Sequence, residues 1–354
     1  MEDVLLDEDF GLPDEDHLDM VLEGAQDTLL AVEGTESLAL TDAQQYLYTC
    51  LGLHGQVDRN ASVTGVEGFF SGVAGSLKKV WDYIVKMFKA ITDFFFGGGK
   101  AEKQEKEAKE TIKAVENALD KVGKGSSGED NFEQVANEVL TALRAAEGED
   151  KKEADQAVLR LEHIKDPAEK AREAEEIRIK LLPKINSRAK VAIKKLAEQG
   201  EAAAQAFSDK VSEDHSKTFE GTPFAKMYAQ YHKSITDTNA KDRGFLTKTA
   251  SLVHNLDDGK RALHTLNDIL GGYIADRLII NQYKSGIESE IKQIEARMND
   301  AGRTGKIPKE LKQELRVCGE FLKVLNSTTG NLEAAYRRII AMAKTIGTLF
   351  AIKV

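Results

Sequence analysis

The stretch Ser62–Gly99 carries an amphipathic pattern that limits what the rest of the chain can be. Its large apolar residues recur at intervals of three, four or seven positions, a spacing that places them on one side of an α-helix. Thr64 and Glu67 have the spacing of a capping box at the start, and the three glycines after Phe96 predict the end. We call this side the stripe; it consists of Phe70, Leu77, Trp81, Ile84, Phe88, Ile91 and Phe95.

Three interpretations of the stripe compete at this stage. Packing against other helices is the plainest, because a three-four repeat is what a bundle helix needs. Insertion into a membrane surface is the second, since small glycines and lysine-flanked aromatic residues suit the lipid headgroup region. The third is burial under an acidic segment of the same chain until that segment is removed.

The whole chain favours an all-α fold. It has five prolines in 354 residues, and helical spacing continues almost throughout. We predict an elongated helical bundle with coiled-coil-like helices and a flexible acidic N-terminal segment. Asp166 before Pro167 predicts a capped helix start. One predicted apolar seam, in residues 100–122, comprises Ala101, Ala108, Ile112, Val115, Leu119 and Val122.

Changes in composition divide the chain into four predicted regions. Residues 1–61 are acidic and contain one short helix, residues 62–99 form the amphipathic aromatic helix, residues 100–207 form a charged helical region, and residues 208–354 form a C-terminal bundle of antiparallel helices. Within the last region, the sequence predicts breaks at Gly271-Gly272, Gly302–Gly305 and Ser327–Gly330.

Charge is distributed very unevenly along the sequence. Residues 1–60 hold 15 Asp or Glu against one Arg, a net charge of −14, so the other 294 residues carry +4 of the total of −10. A segregation this sharp indicates an N-terminal segment with a role of its own, although a solvated tail that aids solubility is the simpler interpretation.

The sequence contains no recognisable catalytic or metal-binding motif. It lacks a phosphate-binding glycine loop, a zinc-protease helix motif, paired-cysteine spacing and a nucleophile elbow. We therefore predict a protein that is not an enzyme and that uses no cofactor and no metal.

A basic run between Ile177 and Leu196 is the candidate contact for DNA or another anion. It contains no acidic residue and no aromatic residue, so it suits phosphate contacts better than base stacking. An anionic membrane, the acidic N-terminal segment or plain solvent are the other predicted neighbours. Its basic residues are Arg178, Lys180, Lys184, Arg188, Lys190, Lys194 and Lys195.

An acidic start, the short helix ALTDAQQYLYTCLGL and VEGFF opening the aromatic helix follow one another near the N-terminus. In this order of features, the sequence resembles internal head proteins of giant tailed bacteriophages, the inner-body or prohead-core proteins. The resemblance covers roughly residues 30–96. It implies a propeptide that a prohead protease removes by cutting after a Glu that has a small residue two positions before it. The candidate cleavage residues are Glu33, Glu36 and Glu67.

The resemblance implies a non-enzymatic virion protein that is assembled in the host cytoplasm and ends in the virion interior. Its expected partners are other capsid or prohead proteins, the prohead protease and packaged DNA, with a membrane as a further partner through residues 62–96. Cutting after Glu67 would remove 16 acidic residues and one Arg, and would leave a product of net charge +5. The alternatives are a membrane-active amphipathic-helix protein and a host-directed effector of unknown activity.

Overall fold

A computed structural model describes residues 85, 94, 95, 99–123, 132–211, 216–249, 253–304 and 309–352. Every regular element within these residues is a helix, which confirms the all-α prediction. The acidic N-terminal segment lies outside the described residues, and so does nearly all of the predicted helix at 62–99.

Eleven α-helices and one short 3-10 turn are described between Lys100 and Leu349. They are α1 (Lys100–Gly123), α2 (Phe132–Arg144), the 3-10 turn (Gly148–Asp150), α3 (Lys151–His163), α4 (Pro167–Lys180), α5 (Leu182–Ile185), α6 (Ser187–Val211), α7 (Ser216–Phe219), α8 (Ala225–Thr249), α9 (Leu256–Gln282), α10 (Lys284–Thr304) and α11 (Lys309–Leu349).

The chain divides into two compact units that alternate along the sequence. Among the described residues, unit 1 takes residues 216–229, 280–304 and 309–329, besides Gly99 and the few described residues before it. Unit 2 takes residues 100–213, 230–279 and 330–354, less the undescribed ones. The predicted 208–354 bundle is therefore not one unit, because its helices are shared between both.

The predicted seam of α1 is confirmed in unit 2. All six of its residues are buried, and Val122, the most exposed, retains only 7% of its surface. Helices α2 to α5 form a neighbouring cluster in the same unit, around Val139, Leu143 and Leu161. Burying such side chains stabilises a fold by roughly 1.5–3 kcal/mol each, so these seams hold the helices of unit 2 together.

The start of α4 follows the predicted cap. The Asp166 carboxylate accepts hydrogen bonds from the backbone N–H groups of Ala168 at 2.8 Å and Glu169 at 3.3 Å, which satisfies two donors that the first turn leaves free. The helix ends at Lys180, and Pro183 lies in the short α5 that follows.

Unit 1 has an aromatic core. The rings of Phe224 and Phe321 stack with centroids 4.1 Å apart, and Phe219 meets Phe321 edge-on at 6.3 Å. Tyr228 lies 4.9 Å from Phe219. Cys318 on α11 is fully buried in the same unit, and burial raises the pKa of its thiol to about 12, so this cysteine is unreactive at neutral pH.

Two of the predicted breaks are wrong, because α9 runs unbroken through Gly271-Gly272 and α11 through residues 327–330. A Cβ on Gly272 would lie 2.9 Å from Cγ2 of Thr238. This glycine therefore lets α8 and α9 approach closely instead of ending a helix. In α11, the hydroxyls of Thr328 and Thr329 donate to carbonyls one turn earlier, at 2.6 and 2.9 Å, so they are satisfied inside the helix. The predicted break at Gly302–Gly305 coincides with the end of α10 at Thr304.

The two adjacent glycines of α9 should respond in opposite ways to alanine. We expect Gly272→Ala to lower the free energy of unfolding by roughly 1–3 kcal/mol, because short, branched Thr238 cannot move aside without disturbing α8. Gly271→Ala is the matched control: nothing lies within 4 Å of its Cβ position, so it should raise that free energy by up to about 1 kcal/mol. Urea unfolding followed by circular dichroism measures both. Equal effects would contradict the close approach of the two helices.

Candidate functional site

The residues predicted at the N-terminal end lie almost entirely outside the described part of the chain. This applies to the cleavage candidates Glu33, Glu36 and Glu67 and to six of the seven stripe residues. The seventh, Phe95, is helical and only 1% exposed, and it meets Phe94 edge-on with ring centroids 5.2 Å apart. At this one position the stripe is covered. The six stripe residues outside the described part are Phe70, Leu77, Trp81, Ile84, Phe88 and Ile91.

The basic run does not form one surface. Arg178 on α4 is 4% exposed, and its guanidinium binds Glu138 of α2 at 2.7 Å and Glu175 of its own helix at 3.2 Å. Its position belongs to the packing of α4 against α2, so the prediction that it contacts DNA or another anion is corrected. The reason is that its spacing from Ala171 and Ala174 places it on the buried side of α4.

The other six basic residues of the run differ in whether a carboxylate pairs with their positive charge. Exposed Lys180, Arg188 and Lys194 pair with Glu176 at 2.5 Å, Glu147 at 2.5 Å and Glu198 at 3.8 Å, respectively. The ammonium of Lys190 donates to the backbone carbonyl of Lys184. Among the described residues, the ammonium groups of Lys184 and Lys195 are exposed and have no carboxylate partner. These two lysines are the best-placed remainder of the predicted anion contact.

Unit 2 contains buried ionic groups that the sequence reading missed. The first cluster joins α1, α9 and α11. The Glu105 carboxylate accepts two hydrogen bonds from the Arg277 guanidinium, at 2.5 and 3.1 Å, and a third from the Tyr336 hydroxyl at 3.0 Å. All three side chains are buried. Burial and the adjacent Glu105 carboxylate raise the pKa of Tyr336 far above its usual range, so its hydroxyl stays a donor.

The second cluster repeats the same three chemical groups on α8, α9 and α11. The Asp242 carboxylate accepts hydrogen bonds from the Tyr273 hydroxyl at 2.6 Å and from the Arg338 guanidinium. Burial and the Asp242 charge raise the pKa of Tyr273 well above its usual value. Gly200 of α6 makes room for this cluster, because a Cβ there would overlap the stem of Arg338. Each cluster therefore consists of a carboxylate, an arginine and a tyrosine contributed by three helices.

A third buried carboxylate of unit 2 is also matched by cations. Glu333 of α11 is 2% exposed, and it lies 2.9 Å from the Lys100 ammonium and 2.7 Å from the Arg337 guanidinium. The side-chain amide of Gln104 donates to the same carboxylate at 3.2 Å.

Asp276 is the exception among these groups. Its side chain is fully buried on α9, one of its oxygens accepts a hydrogen bond from the Ser234 hydroxyl of α8, and its other oxygen has no hydrogen-bond partner. Burial raises the pKa of this carboxyl to about 6, although the hydroxyls of Ser234 and Thr238 oppose the shift. Asp276 is thus the one described carboxylate that is fully enclosed without a cation beside it.

The periodicity itself holds the signal that could have revealed these groups. Glu105 continues the three-four series of the α1 seam between Ala101 and Ala108, and Asp276 and Arg277 follow Leu266, Leu270 and Tyr273 on the buried side of α9. A charged residue at a seam position predicts a buried partner on a facing helix, because an unpaired charge there is very costly.

The arrangement of these buried ionic groups is suited to fixing helices. Where the structure describes the chain, no three His, Cys, Asp or Glu side chains are placed to share a metal ion. Within the same residues, no helix combines the length and apolarity needed to cross a membrane.

Comparison of the chain with protein-family models, with curated proteins and with solved structures gave no match.

The Glu105 cluster should be needed for stability only as a matched set. We expect Glu105→Gln to lower the free energy of unfolding by roughly 3–5 kcal/mol, because it leaves the buried Arg277 guanidinium without its counter-charge. Replacing all three groups with apolar residues, as Glu105→Leu, Arg277→Met and Tyr336→Phe, should recover most of that loss.

Glu107 provides the control, since it lies on the exposed side of the same helix. Glu107→Gln should change the free energy of unfolding by less than about 0.5 kcal/mol. Urea titrations of the four proteins measure these values. If Glu105→Gln is as stable as Glu107→Gln, the buried pair does not hold α1 to α9.

Proposed function

We propose that this chain is a non-enzymatic internal head protein of a bacteriophage virion. It enters the prohead core as a precursor, a prohead protease trims its acidic N-terminus, and the product is packaged or ejected with DNA. The observation that supports this best is the position of the charge boundary. Residues 1–67 carry 16 acidic residues and one Arg, and the rest of the chain carries a net charge of +5. Removing them turns an acidic precursor into a product suited to lie beside DNA.

The buried clusters of unit 2 support the same proposal. Their named members lie between Lys100 and Arg338, so a cut after Glu33, Glu36 or Glu67 removes none of them. A protein that is trimmed during assembly needs a body whose internal contacts survive the cut. The proposal therefore places the cleavage site outside the part that holds the helices together.

The proposed location is the virion interior, after assembly in the host cytoplasm. The proposed partners are other capsid or prohead proteins, the protease and packaged DNA. An elongated, coiled-coil-like bundle with a flexible acidic N-terminal segment remains part of the proposal. The membrane-active and host-directed alternatives stay predictions; the burial of Phe95 favours protein packing of the stripe over lipid contact at that residue.

The N-terminus of the protein in its native particles tests the proposed processing. We expect intact-mass analysis of protein from mature particles to show a chain that begins at residue 34, 37 or 68. Unprocessed protein expressed alone provides the reference mass. A chain in mature particles that still begins at Met1 would be incompatible with trimming.

Lys184 and Lys195 allow a direct test of the DNA contact. We expect the double variant Lys184→Ala and Lys195→Ala to bind double-stranded DNA more weakly whatever its base sequence. The slope of log affinity against log salt concentration should fall by about 2, because two phosphate contacts are lost.

The matched control replaces two lysines that are also exposed in unit 2 but lie outside the basic run, Lys152→Ala and Lys165→Ala. Its formal charge equals that of the test variant, so only the position of the lost charges differs. Fluorescence anisotropy of labelled DNA measures both variants. Equal loss in the two would show that net charge, and not this surface, governs binding.

A further inference from the structure

The packing of α8 against α9 encloses a carboxyl group that differs from the other buried carboxylates of unit 2. Glu105 is matched by Arg277, Asp242 by Arg338, and Glu333 by Lys100 and Arg337. Asp276 is at least as deeply buried as these, at 0% exposure, but the groups that favour its charge on α8 include only the neutral hydroxyls of Ser234 and Thr238 and one exposed lysine. Its second oxygen is buried without a partner.

The neighbouring charged groups do not compensate Asp276. On its own helix, the Arg277 guanidinium is bound to Glu105. On α8, Asp237 and Lys241 are exposed and act on Asp276 in opposite directions, with Asp237 favouring the protonated form.

The groups that α11 and α1 bring to the cluster around Arg277, the residue next to Asp276, carry no positive charge. The Tyr336 hydroxyl is neutral and donates to the Glu105 carboxylate. Glu105 itself brings a negative charge, which its arginine balances. Two hydroxyls and one exposed lysine are the groups that favour the ionised form of Asp276, and they do not offset the effect of its burial.

A buried carboxylate that lacks a cation is stabilised by taking up a proton. The neutral acid removes the cost of an enclosed charge, and it gains an O–H donor. We propose that unit 2 binds one proton at Asp276 as it folds, so that the packing of α8 against α9 is a pH-sensitive contact that weakens as the pH rises. This contact is independent of the proposed virion function, and it would operate in the precursor and in the trimmed product.

The direction of the pH effect follows from the two states. In the unfolded chain the Asp276 carboxyl has its ordinary pKa of 3.8, and in the folded chain burial raises it to about 6. The folded chain therefore holds the proton more tightly. The stabilisation that comes from the bound proton is fully present below the pKa of the unfolded chain, and it is lost as the pH rises through the pKa of the folded chain. Between about pH 5 and about pH 8, the unfolding equilibrium constant should rise about tenfold on account of this group.

The experiment compares the full chain with its Asp276→Asn variant in urea titrations from about pH 5 to about pH 8. Asparagine keeps the shape but cannot ionise. We expect the unfolding equilibrium constant of the variant to lack the tenfold rise between these pH values. At about pH 8 the variant should unfold at a higher urea concentration than the wild type. All other titratable groups are common to both proteins, so the difference between the two profiles isolates Asp276. Parallel profiles would overturn the proposal.

Two further variants keep the test decisive. Ser234→Ala removes a hydroxyl that donates to the ionised carboxyl, and it should move the transition to higher pH. An unmoved transition would overturn the proposal even if Asp276→Asn failed to fold. Asp155→Asn is the control, because Asp155 is exposed on α3 of the same unit. Its profile should match the wild type, and a loss of the pH dependence there would assign the effect to general charge instead.

Discussion

The pairing of buried charges determines which helices of unit 2 can lie side by side. An apolar seam tolerates some sliding, because most of its contacts are interchangeable. A carboxylate that must meet one guanidinium and one hydroxyl tolerates no such sliding. Glu105 and Asp242 each impose this condition, and α9 and α11 contribute to both clusters through Tyr273, Arg277, Tyr336 and Arg338. The two clusters therefore fix the register of α9 against α11, while α1 and α8 each contribute one carboxylate to them.

The glycines of α6 and α9 extend the same constraint to the backbone. Gly200 leaves room for the stem of Arg338, and Gly272 leaves room for Thr238. Thr238 precedes Asn239 and Asp242 on α8, and Asp242 belongs to the second cluster. The close approach at Gly272 thus brings α8 near enough to α9 for Tyr273, one residue further on, to reach Asp242. Helix spacing and ionic pairing depend on each other at this point.

Much of the helical framework could be predicted from the sequence, because it depends on local patterns. The α1 seam follows from three-four spacing, and the start of α4 follows from Asp166 and Pro167. The unbroken course of α9 could not be predicted, because a glycine pair considered alone favours a break in a helix. Only the contact with Thr238 on α8 explains why a glycine stands at position 272. The same holds for Arg178, which looks like part of a basic surface until Glu138, 40 residues away, is known to pair with it. Sharing of residues 208–354 between two units likewise depends on contacts that are distant in sequence.

The burial of Arg178 also changes what net charge means for this chain. Charges paired inside unit 2 cancel locally and are shielded from solvent, so they contribute little to the field that DNA would meet. What an approaching polyanion senses is set by exposed groups such as Lys184 and Lys195 and by the acidic residues of the N-terminal segment. Screening limits that field to about 8–10 Å at physiological salt. If the chain is processed as proposed, the acidic segment would oppose DNA binding effectively only when it lies near those lysines, and its removal would matter most if it covered them in the proposed precursor.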